Sequence, residues 1–534
     1  MQVKFHKTIN VVIAVLATTA IALAGCSSSQ NSPSNSTATE SSTGASTIPK
    51  GPPIVLTVEL FDRSNAPAGA PPITDNFMTQ YVQKNFGDPN NITVKFVTIP
   101  RSEEVKKLNV LMASGTAPDL VFTYDKPTVQ SYVQSGGIAD LGPAIDKYGP
   151  QLKKVLAPTL KDGVFNGKQY TIPALRVIQS QTTTIIRKDW LDKLNMPLPT
   201  TTDEWYQTLK AFKEKDPGNT GGKVIPFTLI DMFHIKPLTN SFWDWSKITE
   251  EDLFADPDGW TLPGNKEAFK FLNKLYNEGL LDKDFPLAAD FSQAFNKQVV
   301  NGLAGSASPN TNDPIYSGYY ANLKKNIPEA VLATIDPFKA SNGKYPKPMY
   351  SPSGVYLMVP AASKNVEAAI KYLNWMAEPK SLIALQFGQE GVSYKIGDDG
   401  IPFALTTPEA NQILFNNQDY AMIVNGKYVS TDTPEKNMAA NATDPQFKDF
   451  TISSIKTGAR DGYTGPRVDI PIQAEIKYSQ ILNDKIKQML AKIITAKSNE
   501  VDSIYDQQLK EWKDSGGEAI MKERRQAYQQ FYKK

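Results

Sequence analysis

From Ile54 onward the chain alternates between two hydrophobic periods. The stretches 54–60 (IVLTVEL), 92–99 (ITVKFVTI) and 119–124 (DLVFTY) are rich in β-branched and apolar residues and predict strands. Residues 75–86 and 102–114 instead carry apolar side chains at helical spacing, the second opened by Ser102 and Glu103 and stopped by Gly115. Strand, helix, strand, helix, strand with short links predicts a parallel sheet covered on both faces, with right-handed crossovers.

The pattern then repeats. An extended run TTTIIR ends at Arg187 and leads into helical segments at 188–194 and 203–215, where Thr201 and Glu204 have the spacing of a capping box. A further helix is predicted at 266–278, with Phe269, Leu272 and Tyr276 on one face and Gly279 as its stop. Apolar runs at 302–306 and 331–335 read as strands, and GVYLMVP at 354–360 feeds a helix at 365–377. From Ile476 long amphipathic helices follow, broken at Gly516 and Gly517. The stretches GKQYTIPA and SGVYLMVP each lie between blocks of this pattern and are candidates for strands that cross between two lobes. Two sheets facing each other across such a hinge leave a cleft beyond their strand ends, where open α/β sheets bind ligands.

Length agrees with two lobes: 534 residues exceed what one hydrophobic core supports. The N-terminus adds an address. Residues 1–25 carry Lys4 and Lys7, then an apolar run from Val11 to Leu23 interrupted only by Thr18 and Thr19. The run is too short for a comfortable transmembrane helix and has the layout of a secretory signal. Leu23, Ala24, Gly25 and Cys26 resemble the lipobox of bacterial lipoproteins, in which the cysteine is acylated and becomes the new N-terminus. Residues 27–53, dominated by Ser, Thr, Asn, Gly and Pro, cannot bury enough surface to fold and predict a flexible spacer.

Composition removes several chemistries. His6 and His234 are the two histidines and Cys26 the single cysteine, so a disulfide framework, a Cys/His zinc site and a Cys/His dyad in the body are excluded. Beyond the signal, basic and acidic residues balance at 55 each, leaving no net field to hold nucleic acid. Carboxylate chemistry remains open, because a glycoside hydrolase or lyase needs neither His nor Cys.

Several stretches together resemble the extracellular solute-binding lipoproteins that serve ABC importers, in the oligosaccharide-binding branch (family 1). They are VLMASGTAPDLVFTYD, IIRKDWLDKLNMPLPTTTDEWYQTLKAF, FLNKLYNEGLLDKDFP, GVYLMVPAASKNVEAAIKYLNWMAEP, FGQEGVSYK and WKDSGGEAIMKERRQAYQQF. Singly each is an ordinary amphipathic segment; their order and the lipobox carry the resemblance. It implies an α/β, two-lobed, hinge-connected periplasmic-binding-protein-like type II fold with a helical C-terminal region, and no catalysis. The implied partners are a sugar or oligosaccharide, the ABC permease subunits, and the membrane through the lipid anchor only. The implied location is the extracytoplasmic face of a bacterial membrane, as a monomer. The expected division is signal 1–25, lipidated linker 26–53, first lobe 54–175 and 336–380, second lobe 176–335 and 381–534. The alternatives are a carbohydrate-active enzyme and a peptide-binding lipoprotein.

Such relatives often carry a calcium loop just after the helix that contains KAF. Here its counterpart starts at Asp216, but Gly218, Val224 and Ile225 stand at the third, ninth and tenth loop positions, where side-chain oxygens are needed. No metal and no cofactor are therefore expected. Sugars present apolar C–H faces ringed by hydroxyls, so their sites combine aromatic platforms with planar hydrogen-bonding groups. Filtering for such residues at strand ends gives Asp62, Arg63, Arg101, Tyr124 and Asp125. The dense aromatic run SFWDW contributes Trp243 and Trp245, since four successive large residues cannot all point inward. Asn310, Tyr350 and Tyr394, each next to an extended segment, complete the candidates, with Trp190 and Trp375 assigned to the core.

Overall fold

Leu56, Val58, Leu60 and Phe61 are completely buried, and this run sets the first sheet. The computed structural model describes residues 51–229, 233–285, 291–430, 433–442 and 444–532. The signal segment, Cys26 and all but the last few spacer residues lie outside these, and Pro52–Lys534 form one compact unit. The strands of its two main sheets are, in chain order, β1 (Ile54–Asp62), β2 (Ile92–Pro100), β3 (Val121–Thr123), β4 (Ile172–Arg176), β5 (Thr184–Arg187), β6 (Ile225–Phe227), β7 (Ala304–Ala307), β8 (Leu332–Ile335), β9 (Ser353–Met358) and β10 (Val424–Asn425).

The first sheet runs β2-β1-β3-β9-β4-β10, with β3 joined to β1 through the parallel bridge Val58 to Leu120. β1 and β2 are parallel and in register from Ile54/Ile92 to Asp62/Pro100, so their carboxyl ends coincide. The parallel sheet expected of the first three strands is found, and β4 and β10 run the same way; β9 alone enters antiparallel, between β3 and β4. Every residue of β9 is buried, as its unbroken apolar sequence requires of a central strand. The second sheet runs β8-β5-β7-β6, mixing antiparallel β8/β5 and β5/β7 pairs with a parallel β6/β7 pair.

Helices follow the sequence closely. Thr202–Lys215, Asn265–Asn277 and Val366–Met376 stand within a residue or two of expectation. Thr201 does accept from the Glu204 amide, but the reciprocal half of the capping box is absent, because Glu204 accepts instead from Thr200. The C-terminal helices Gln473–Ile494, Val501–Trp512 and Glu518–Tyr532 pack onto the core that holds Ile186, Trp190 and Trp205. The chain turns at Gly516 with φ of +124°, and a Cβ there would lie 2.4 Å from the Tyr478 ring.

The division into lobes differs in detail from the expected one. Leu382, Leu385 and the run from Tyr420 to Val424 belong to the core of the first sheet, although residues 381–534 were assigned to the second lobe. The cause is β10, a two-residue strand pairing with β4, too short to leave a pattern in the sequence. GKQYTIPA and SGVYLMVP are also not the crossings. They contribute β4 and β9, neighbours within the first sheet. The chain crosses just outside them, at 177–183 and 336–352, and these segments bond to each other: the Tyr350 amide donates to the Gln179 carbonyl at 2.7 Å, and Ser180 forms an antiparallel bridge with Met349. A third passage leads from β10 to the helix Lys448–Ala459, whose neighbour Phe447 packs in a core of the second sheet.

Candidate ligand-binding cleft

Because strands of both sheets end toward one region, the residues that follow them converge there. A cavity of about 370 Å³ is walled by Arg63 after β1, Arg176 at the end of β4, Asn310 after β7, and Asn425 and Lys427 at β10. Tyr350 adds a face from the crossing segment, and Tyr316 stands on the short helix Asp313–Tyr316. Tyr316 is 66% exposed, a large aromatic face offered to solvent. A concave wall with a few ring faces and many amide groups can hold a small polar, partly apolar molecule.

Arg63 does not project freely into this space. Its Nε and Nη2 donate to the two carboxylate oxygens of Asp419 at 2.9 and 2.8 Å, and Nη2 reaches the Tyr124 hydroxyl at 3.4 Å. With its side-chain amide turned, Gln418 accepts from Arg63 as well, at 2.8 and 3.2 Å. Burial opposes the charge of Arg63, and the Asp419 carboxylate more than restores it, so the guanidinium stays protonated. Arg101 lies behind, its guanidinium 4.7 Å from the Tyr124 ring centre and 5.3 Å from that of Phe61, paired with Glu104 at 2.6 Å.

On the crossing side, Asn310 Nδ2 donates to the Tyr350 hydroxyl at 3.0 Å. The guanidinium of Arg176 lies over the ring of the same Tyr350, 4.3 Å from its centre. Its hydrogen bonds, to Asn425 Oδ1 and the Gly354 carbonyl, are both long at 3.4 Å, and its buried Nε has no acceptor. Burial lowers its affinity for a proton. Lys427 donates to the Gln386 carbonyl and lies 4.7 Å from the Phe387 ring centre. Burial pushes its ammonium down to about 7. Asp313 takes a hydrogen bond from Ser317 and is pushed up by burial.

The candidate residues therefore divide. Arg63, Asn310 and Tyr350 line the cavity, and Tyr124 and Arg101 back Arg63. Asp62 is exposed and closes a turn by accepting from the Ser64 amide at 2.8 Å. Asp125 caps the helix Lys126–Ser135 through the Thr128 amide. The assignment of Trp243 to the cleft is overturned: it is 1% exposed, its indole donates to Asn265 at 3.0 Å, and Gly259 packs against its ring. Trp245 is half-buried, donating to the Asn240 carbonyl at 2.9 Å with its ring against Tyr463. Tyr394 is buried beside Phe387 in a separate small core. Trp190 is fully buried, as expected.

Arg176, Tyr316, Asn425 and Lys427 were missed. Arg176 ends a strand and meets the same filter that selected Arg63, whereas Tyr316 and Lys427 sit beside elements too short to read. The loop after the helix Thr202–Lys215 explains itself: Asp216 accepts from the Thr220 amide and hydroxyl at 3.0 and 2.8 Å and from the Gly222 amide at 3.0 Å. Both carboxylate oxygens are thus occupied by donors of the chain. Among the described residues no group of three acidic, His or Cys side chains could hold a metal ion.

Comparison with known proteins agrees with this architecture. The chain is 27% identical over 470 residues to lipoprotein LipO of Bacillus subtilis, covering 82% of this chain and 86% of that one. It is 26% identical over 460 residues to the polygalacturonan/rhamnogalacturonan-binding protein YtcQ of the same organism, with the same coverage. In shape it is similar to the alginate-binding protein AlgQ2, with a TM-score of 0.63 at 21% identity over 90% of this chain and 98% of that one. It is similar also to the substrate-binding protein FusA of Streptococcus pneumoniae, with a TM-score of 0.64 at 18% identity over 89% and 99% of the two chains. The family model for bacterial extracellular solute-binding protein spans residues 70–382, so the chain belongs to that family.

Proposed function

We propose that the chain captures a sugar or oligosaccharide in the cleft between its two sheets and presents it to the membrane subunits of an ABC importer. The observation that carries this reading is the cavity itself, where the ring of Tyr350 and the exposed ring of Tyr316 share a wall with Asn310 and Asn425. Flat apolar faces beside planar amides suit the two surfaces of a sugar ring. Relatives support the ligand class: FusA is a fructooligosaccharide transporter substrate-binding protein, 29% identical over 230 residues. DasA of Streptomyces coelicolor, 31% identical over 132 residues, is a diacetylchitobiose-binding protein.

In this reading the first lobe comprises residues 54–175 with 353–428, the second holds the remaining core, and the crossing segments form the hinge. The protein acts as a monomer without turnover, held at the outer face of the membrane by lipid on Cys26. The test is calorimetric titration of the full chain against neutral and acidic oligosaccharides and against peptides, followed by chromatography of each sugar after incubation. Saturable sugar binding with the sugar recovered intact is expected. Release of shorter sugars would return the enzyme reading, and binding of peptides alone would replace the ligand class.

A further inference from the structure

We infer that the cleft selects a carboxylate-bearing sugar, an oligosaccharide containing uronate units, with Arg176 and Lys427 as its cationic contacts. This rests on the sugar-capture reading and deepens it. The cavity wall carries three cations, Arg63, Arg176 and Lys427, against one lining carboxylate, Asp313. Arg63 is already matched by Asp419. Among the described residues, neither Arg176 nor Lys427 has a carboxylate within ion-pair distance; Arg176 has two 3.4 Å bonds to neutral oxygens and Lys427 one carbonyl.

The asymmetry is costly unless a ligand uses it. Removing a cation from water without a counter-charge destabilises the fold, and neutral acceptors at the edge of hydrogen-bond range recover little of the lost hydration. A half-buried arginine whose Nε is buried without an acceptor is an instance of that condition. Neutral sugar hydroxyls would not call for it, since Asn310, Asn312, Gln418, Asn425 and Asn441 already supply donors and acceptors around the same space. A ligand carboxylate supplies what the wall lacks: a planar acceptor pair that matches the guanidinium fork, and a charge for the ammonium nearby. The Tyr350 ring under Arg176 fixes the plane of that fork before any ligand arrives.

Trisaccharides of galacturonate, glucuronate and mannuronate, each paired with its methyl ester, separate the charge from the ring and its hydroxyls. Maltotriose and a fructose trisaccharide serve as neutral controls. Titrated into the full chain, at least one uronate is expected to bind roughly tenfold or more tightly than its own ester, as charge-assisted hydrogen bonds imply. Arg176→Gln and, separately, Lys427→Met should each shrink that ratio while a melting curve reports the fold, and the acid/ester ratio of the unmutated protein needs no variant. Equal binding of acid and ester, or a preference that survives both substitutions, overturns the carboxylate inference and leaves sugar capture standing. Failure of every acidic and neutral sugar to bind overturns both.

Discussion

Arg63 and Asp419 stand 356 positions apart in the chain and meet as a two-point ion pair, 2.8 and 2.9 Å, with Asp419 almost wholly buried. The contact ties the end of the first strand to the helix Asn417–Tyr420, whose own residues Asn417 and Gln418 line the cavity. Removing one partner leaves the other buried and unmatched. Asp419→Ala should therefore cost about 3 kcal/mol or more of stability, measured by urea unfolding, because an uncompensated buried charge is the costlier state. Arg63→Met with Asp419→Leu should be milder than the single change.

The tryptophans and the tyrosines of this region should respond oppositely. Trp243→Ala opens a cavity in the core and should cost about 3–5 kcal/mol of folding stability, with sugar affinity retained at low temperature. Tyr316→Ala should leave the melting temperature near normal and weaken binding roughly tenfold, since an exposed ring contributes to the ligand and not to the core. Thermal melting and titration of each variant check both.

Calcium should matter little. The carboxylate of Asp216 is held by three donors from its own loop, and those bonds lower its proton affinity although its partial burial acts the other way. Its contribution is present above the ordinary carboxylate range and is lost as pH falls through its lowered folded value. Asp216→Ala should destabilise by about 1 kcal/mol, and neither chelator nor added calcium should shift the melt. A large calcium-dependent rise in melting temperature would show that the loop rearranges to take the ion.

Lys427 gives a pH dependence of opposite window. It titrates at about 7 when folded and near 10.4 when unfolded. Between those values the unfolded chain binds the extra proton, so stability rises with pH across the window and the penalty is complete below it. The groups against the ammonium are the Gln386 carbonyl and the Phe387 ring. From about pH 6 to about pH 9 the unmutated chain should gain about 2–3 kcal/mol relative to Lys427→Met; parallel slopes in chemical denaturation would contradict the assignment.

Anchoring should depend on Cys26. Cys26→Ala should leave the protein in the aqueous phase after detergent partition, because the acyl chains that would hold it to a bilayer are then missing. Retention in the detergent phase would place the anchor elsewhere.

The long elements were legible because their periodicity is set by burial over many residues. β1, β2 and the helices at 202–215, 265–277 and 366–376 leave the pattern that their cores demand. The cavity was legible only where it borrows from such elements: Arg63 follows a nine-residue strand, and Tyr350 and Asn310 adjoin recognisable extended runs. Lys427 follows a strand of two residues and Tyr316 ends a helix of four, so neither carries a local signal. The aromatic run at 242–245 misled for a physical reason. Asn265 offers a buried acceptor to the Trp243 indole and Asn240 a carbonyl to Trp245, so both rings are satisfied against the protein without turning outward.

The two crossing segments beside the cavity are bonded to each other through Tyr350 and Gln179, and Ser180 and Met349. They are therefore held together as one ribbon and not as separate tethers. Tyr350 belongs both to that ribbon and to the cavity wall. A molecule resting on its ring would thus touch the joined segments directly. In the proposed reading, that contact would let occupancy of the cleft register in the segments that join the two sheets.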